Sequence, residues 1–202
     1  MRISEIFYSI QGEGRNQGAP ALFIRLAGCN LHCRWCDTEY ALTGGEEMSA
    51  DGILAEVSRA NPRLVCITGG EPLLQTDALI PVLKELHKRG IAIEIETNGT
   101  LDFASLQPYA TICMDVKCPS SGEESDLSLL SKIRKEDSVK FVVSGEDDCR
   151  YAREVVSVHP VKGQVFFSPV WGADTAPIVR YIIRNDLPVR FQLQLHKIVG
   201  VK

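Results

Sequence analysis

Cys29, Cys33 and Cys36 stand within eight residues in the order Cys-x3-Cys-x2-Cys. Three clustered thiols can hold a cubane iron–sulfur cluster and leave one of its irons open to a small molecule. Structural zinc and electron-transfer clusters instead fill all four positions with protein ligands. The spacing therefore points to chemistry at an open metal corner. Two closed sites would use the same cysteines. A zinc site would recruit His32 or Cys66, and a ferredoxin-like cluster would recruit Cys118, whose Cys118-Pro119 pair resembles the dipeptide that ends ferredoxin motifs.

Thr68-Gly69-Gly70-Glu71-Pro72 directly follows an apolar run. Adjacent glycines let the backbone approach a ligand closely, and Glu71 adds a carboxylate. Alone, the segment also reads as a tight turn before a helix. Arg25 is a cation able to grip a carboxylate in bidentate fashion, or a surface charge at a strand end. Asp37 and Thr38 follow the last clustered cysteine and offer oxygens to a hard cation. Glu96 and Asn98 close a further apolar run, where they could contact a cofactor or a substrate. His87 sits where a helix C-terminus favours a cation, and Cys66, Cys113 and Cys149 read as small core residues.

The elements that must position these groups follow from hydropathy. Strands are expected at Ile3–Tyr8, Ala21–Leu26, Leu64–Thr68, Ile91–Glu96, Thr111–Asp115, Val139–Val143, Gln164–Phe167 and Val189–Leu193. Helices are expected at Ser49–Arg59, Thr76–Arg89, Asp147–Val158 and Thr175–Arg184, capped by Ser49 and Asp174 and stopped by Gly90. Pro119–Asp126 is polar and reads as a loop. Strand–helix alternation builds a parallel sheet with helical crossovers. The 202 residues are too few for a closed eight-stranded barrel of about 250 residues, so the expected fold is α/β, a partial (open) β/α barrel of about six parallel strands in one domain spanning residues 1–202. Ligands of such sheets gather at the C-terminal edges of the strands, where the groups above lie.

Net charge is −4 with no basic block, which argues against nucleic-acid binding. Seven cysteines without a signal-length apolar run point to a reducing compartment and a cytoplasmic protein, and no stretch is long and apolar enough for a membrane span.

Together, the cysteine spacing and the Gly-Gly-Glu-Pro turn resemble the radical S-adenosylmethionine superfamily. Ser9-Ile10-Gln11-Gly12-Glu13-Gly14, Phe23–Leu31, Trp35-Cys36-Asp37-Thr38, Glu96–Thr100, Asp115–Pro119 and Gln192–Lys197 look like the 7-carboxy-7-deazaguanine synthases within it, from residue 9 to residue 197. The resemblance implies a 4Fe–4S cluster on Cys29, Cys33 and Cys36, S-adenosylmethionine on the open iron, and cleavage to a deoxyadenosyl radical. It implies that this radical takes the hydrogen from C6 of 6-carboxy-5,6,7,8-tetrahydropterin. Ring contraction with loss of ammonia would then give 7-carboxy-7-deazaguanine, on the way to queuosine and other deazapurines, with the cofactor regenerated.

By the same resemblance, Trp35, Cys36 and Asp37 belong to the cofactor site. So do Gly70 and Glu71, the strand end Asp115, Val116 and Lys117, and the later strand end Ser168, Pro169, Val170 and Trp171. The substrate falls to Ile10, Gln11 and Gly12, with Arg25, Thr68, His196 and Lys202, and Mg2+ to Thr38. An electron donor such as flavodoxin and a homodimer are implied. One rival is a glycyl-radical-enzyme activase, which has the same cysteine spacing but acts on a protein loop. The other is a non-catalytic iron–sulfur or zinc module, which needs a fourth protein ligand.

Overall fold

The computed structural model describes residues 1–202. Its sheet comprises β1 (Arg2–Ile10), β2 (Pro20–Leu26), β3 (Glu46–Glu47), β4 (Leu64–Gly69), β5 (Ala92–Thr97), β6 (Thr111–Val116), β7 (Ser138–Val143), β8 (Gln164–Pro169) and β9 (Arg190–Phe191). The helices are α1 (Ala50–Ala60), α2 (Thr76–Lys88), α3 (Glu146–Val158), α4 (Thr175–Arg184) and α5 (Leu195–Val199). The strand order is β3-β1-β2-β4-β5-β6-β7-β8-β9. From β2 to β9 every neighbouring pair is parallel. The expected open β/α sheet is thus present, with six full parallel strands and the short β9.

Expected and observed elements differ at the two ends of the sheet. The opening strand runs longer than Ile3–Tyr8 and pairs antiparallel with β2, so it borders the parallel array. The expected strand Val189–Leu193 shrinks to Arg190–Phe191; beyond it the Gln192 carbonyl accepts from the Ser168 hydroxyl, and the Gln192 side chain exchanges hydrogen bonds with Gly14. Pro119–Asp126 is not wholly irregular; Pro119–Ser121 forms one 3-10 turn. The caps follow expectation. Ser49 Oγ accepts from the Gly52 amide at 3.1 Å and Asp174 Oδ1 from the Ala176 amide at 3.0 Å. Past Lys88, Gly90 takes a φ of 73°, a left-handed conformation that turns the chain towards β5.

Successive strand residues face opposite sides of a sheet. One set, including Ile24, Ile67, Ile95, Met114, Phe141 and Phe167, belongs to a contiguous core of 35 buried residues shared with α1 to α4. The alternate set is chemically different: Arg25, Thr68, Glu96, Cys113, Asp115, Lys140 and Val142 line a cavity. The sheet separates an apolar layer, which holds the helices, from a polar face.

At the opposite edge of the sheet, Asp137 ties the starts of β6 and β7 together. Its fully buried carboxylate accepts from the amides of Ile112 and Arg134, both at 2.9 Å, from the Arg134 guanidinium, and from Gln107 at 2.8 Å. Removing a buried anion that satisfies several donors strands those donors. Asp137→Ala is expected to lower unfolding stability by about 2–4 kcal/mol in a denaturant titration, while leaving the cysteine loop, at the other edge, able to take up iron.

Candidate active site

The cavity has a volume of about 440 Å³ and opens at the C-terminal edges of the strands. Cys29, Cys33 and Cys36 line it, half-exposed and free of disulfides. Their loop is fixed from several directions. The Gly28 amide donates to Ala41 O at 2.7 Å, the Arg34 amide to Ser121 O at 2.9 Å, and the His32 amide to Glu123 Oε1 at 2.7 Å. Asn98 Nδ2 donates to Asn30 Oδ1 at 2.9 Å and lies 3.8 Å from Cys29 Sγ. The segment read from sequence as a plain loop therefore supports the cysteines through Ser121 and Glu123. Cys118 is elsewhere: it is fully buried in the apolar core and absent from the cavity wall. Cys118 does not share their cavity, which disfavours the ferredoxin-like closure.

The Gly-Gly-Glu turn lies against this loop. The amides of Gly70 and Glu71 donate to Leu26 O at 3.1 Å and Gly28 O at 2.8 Å. A Cβ at Gly70 would sit 2.1 Å from Gly28 O and 2.8 Å from Cys29 Cβ, so only glycine allows this approach. The Glu71 carboxylate does not line the cavity. It is fully buried and accepts from the Leu73 amide (2.9 Å), Thr97 Oγ1 (2.9 Å) and the Asn98 amide (2.7 Å). It clamps the ends of β4 and β5; of the two turn residues assigned to the cofactor, Gly70 lines the cavity and Glu71 does not.

Of the other residues assigned from sequence, Ile10, Gln11, Gly12, Arg25, Trp35, Asp37, Thr38, Thr68, Asp115, Lys117, Val170, Trp171, His196 and Lys202 all line the cavity. Val116, Ser168 and Pro169 do not. Val116 alternates with Asp115 and Lys117 and points into the core, and Ser168 Oγ donates backwards to Gln192 O at 3.0 Å. Arg25 Nε donates to Glu5 Oε1 at 2.8 Å, and the guanidinium lies over the rings of Phe7 and Tyr40; its terminal nitrogens bond nothing in the chain. Lys202 Nζ also reaches Glu5 and lies 5.0 Å from the Phe7 ring centre. Thr38 Oγ1 donates to Asp37 Oδ1 at 3.0 Å, and Asp37 pairs with Lys197. Burial opposes ionisation of Asp37, yet the Lys197 ammonium holds its carboxyl below the ordinary value.

Two charged residues of the cavity wall, Glu13 and Lys140, were not assigned to the site from the sequence. Glu13 and Lys140 form a buried ion pair, with Gln194 Nε2 donating to Glu13 Oε1 at 2.6 Å. Burial would raise the Glu13 carboxyl and lower the Lys140 ammonium; each reverses the other's shift, so both stay charged. Burial lowers the His196 imidazole, which favours its neutral form. Lys117 pairs with Asp115 at 2.9 Å and lies over the Trp35 ring. Asp115 Oδ1 is buried without a hydrogen-bond partner, in a residue that lines the cavity. Cys66, Glu94 and Glu96 bring one ligand atom each within 4.8 Å of one another. Their lone pairs face N–H and O–H donors: Gln11 Nε2 reaches Glu94 at 2.7 Å and Glu96 at 3.1 Å, Asn16 reaches Glu94 at 2.7 Å, and Thr68 reaches Glu96 at 3.0 Å. The group is a hydrogen-bonded carboxyl pair rather than a cation cage.

Three accessible thiols on a pre-shaped loop, a glycine cradle beside them and an unpaired acceptor in the cavity wall suit a three-cysteine iron–sulfur cluster and a polar cofactor. Residues 23–147 match the model of the radical SAM superfamily. The chain is 51% identical to a 7-carboxy-7-deazaguanine synthase from Methanospirillum hungatei, over its whole length and 86% of the relative. The chain belongs to the 7-carboxy-7-deazaguanine synthase family. A synthase from Thermoplasma acidophilum is 39% identical over 98% of this chain and 97% of that one. Among solved structures, QueE from Escherichia coli superposes with a TM-score of 0.76 at 28% identity, covering 96% of this chain and 94% of the other. Streptococcus suis SuiB, bound to its precursor peptide SuiA, shares the fold with a TM-score of 0.59 at 13% identity, covering 86% of this chain and 48% of that one.

Two predictions follow from the geometry of this family member. Gly70→Ala forces its methyl group into Gly28 and Cys29, and is expected to cut iron retention after anaerobic reconstitution severalfold, read by iron and sulfide analysis. Burial, and next the neighbouring Glu96, push the Glu94 carboxyl up from 4.5 to about 7. Between these values the folded chain holds a proton that the unfolded chain releases. Stability contributed at Glu94 therefore falls as pH rises from about 4.5 through about 7, by about 3 kcal/mol in all. Glu94→Gln is expected to remove that part of the fall, seen as denaturation midpoints that converge with those of the wild type at acid pH and exceed them above neutrality.

Proposed function

We propose that this protein is a radical S-adenosylmethionine enzyme that converts 6-carboxy-5,6,7,8-tetrahydropterin to 7-carboxy-7-deazaguanine with loss of ammonia. The observation that carries the reading is the continuity of one cavity. It brings together three accessible cysteines, the glycine cradle, and Arg25, Thr68 and Glu96. A closed zinc or ferredoxin-like module has no use for such a space, and the names of the close relatives favour the pterin over an activase's protein loop.

Cys29, Cys33 and Cys36 would hold the 4Fe–4S cluster, beside the glycine turn at Gly70. When bound, the cluster and S-adenosylmethionine together supply the deoxyadenosyl radical. The chain's own residues orient and enclose. Asp115 Oδ1 would accept a hydroxyl of the cofactor's sugar, Trp35 and Lys117 would border its base, and Val170 and Trp171 would cover it. Arg25 would receive the pterin carboxylate on its free terminal nitrogens. Thr68, Gln11, Gly12 and the neutral His196 would line the heterocycle with donors and acceptors, with Ile10 and Lys202 at the rim. Thr38 would offer Mg2+ one neutral oxygen, substrate and water completing its shell. Tight placement matters here because a loose radical is quenched by whatever it meets first.

The single sheet and contiguous core support one domain over residues 1–202. We read the protein as a cytoplasmic homodimer reduced by a small electron donor such as flavodoxin; no helix is long and apolar enough to cross a membrane.

The test is anaerobic reconstitution with iron and sulfide, reduction, and incubation with S-adenosylmethionine, Mg2+ and the carboxylated tetrahydropterin. A deazaguanine product by mass spectrometry is the expected outcome. Cofactor cleavage without pterin conversion would reject the substrate. Cys29→Ala, Cys33→Ala and Cys36→Ala should each abolish product and most bound iron, whereas Cys118→Ala should keep the iron; loss of the cluster in Cys118→Ala would overturn the open-corner assignment.

A further inference from the structure

Glu94 and Glu96 lie two residues apart on β5 and so share the inward face of the sheet. Glu96 lines the cavity, while Glu94 lies behind it, buried and absent from the cavity wall. One amide joins them, since Gln11 Nε2 donates to both carboxyl groups. Its orientation is fixed, because Gln11 Oε1 accepts the Glu13 amide at 3.2 Å and the nitrogen must therefore face the two acids. Asn16 is different. Only its Nδ2 is engaged, on Glu94 Oε2, so the amide can turn and present its oxygen to a protonated Glu94.

Every charged or titratable group around Glu94 agrees with a neutral acid there. Glu96 repels a second anion from the same strand. The thiols of Cys66 on β4 and Cys113 on β6 are pushed up by burial and stay protonated. The nearby cation, Lys140 on β7, is already committed to Glu13. Two carboxylates bridged by a single amide cannot both ionise in a buried setting without large cost.

We propose that Glu94 is a positioning residue: as a neutral acid it lets Gln11 hold the Glu96 carboxylate against the cavity as the acceptor for N–H groups of the bound heterocycle, and its ionisation weakens substrate binding. This rests on the pterin reading above and deepens it. With Glu94 ionised, Gln11 has two competing anions, and repulsion along β5 pushes Glu96 away from Glu94, which removes the ordered acceptor.

The decisive variant is Glu94→Gln, which keeps shape and is neutral at every pH. The reconstituted wild-type enzyme is expected to show KM for the carboxylated tetrahydropterin rising about tenfold between about pH 7 and about pH 8.5, with KM for S-adenosylmethionine not following it. In Glu94→Gln the alkaline rise disappears, so that above neutrality the variant binds pterin more tightly than the wild type. Glu94→Asp restores a titrating group and should restore the rise. An alkaline limb retained in Glu94→Gln, or a loss confined to kcat with KM unmoved at all pH values, would overturn the proposal. A second arm needs no pterin. Infrared difference spectra of the reconstituted protein, between acid and alkaline pH, should contain a protonated-carboxyl C=O band that Glu94→Gln removes; persistence of that band in the variant also overturns the proposal. Because this arm reports the acid directly, failure of the pterin reading and failure of the Glu94 assignment give different results.

Discussion

The junction at Gly69-Gly70-Glu71 is the constraint on which the site depends. A buried carboxylate is costly unless donors surround it, and Glu71 is surrounded by three from two other segments. Its own amide meanwhile holds Gly28, the residue before the first clustered cysteine. One residue thus couples the end of β4, the end of β5 and the start of the cysteine loop. The apolar core beneath keeps these strand ends in register. Without the junction, the thiols would have the right spacing in sequence and no fixed direction in space.

The polar face of the sheet follows a second rule. Apart from the carboxyl pair Glu94 and Glu96, the charges that line it are paired: Glu13 with Lys140, Asp115 with Lys117, Arg25 with Glu5, Asp37 with Lys197. Pairing lets the cavity be highly charged without large net charge. It also leaves selected atoms free, notably Asp115 Oδ1 and the terminal nitrogens of Arg25. Those atoms are suited to a ligand because the rest of each group is already satisfied and held.

Much of this was legible in the sequence, for a physical reason. Strand–helix alternation is imposed by burial, so the apolar runs reported the parallel strands closely. The cysteine spacing and paired glycines report local backbone geometry, which a short window contains. What was missed depends on distance along the chain. Glu94 in Ile-Glu-Ile-Glu alternates with core residues, a pattern that marks a two-faced strand; that it stands behind the strand-end Glu96 on the cavity side becomes clear only once the sheet is assembled. Lys140 and Glu13 are 127 residues apart, and no local pattern pairs them. Glu71 was read as facing a ligand because its neighbours do, whereas its carboxylate turns towards amides that only the folded β5 supplies. Cys118 looked like a ligand by its proline, but its place after β6 delivers it to the core.

The wall made by the N-terminal loop and the segment after β9 has a consequence for how the protein is made. Gln192 exchanges two hydrogen bonds with Gly14 across 178 residues, and the Leu195 amide donates to Gly12 O. Gly12 has no side chain because His196 occupies that space; a Cβ there would lie 1.8 Å from Nδ1. On a ribosome adding about 5–20 residues per second, the first half of this wall waits on the order of ten seconds or more for the second. Throughout that interval the charged face of the sheet and the three thiols are uncovered. The enclosure that protects a radical intermediate is therefore among the last parts of the fold to form, and a nascent chain meets iron, oxygen and other thiols before its own cavity exists.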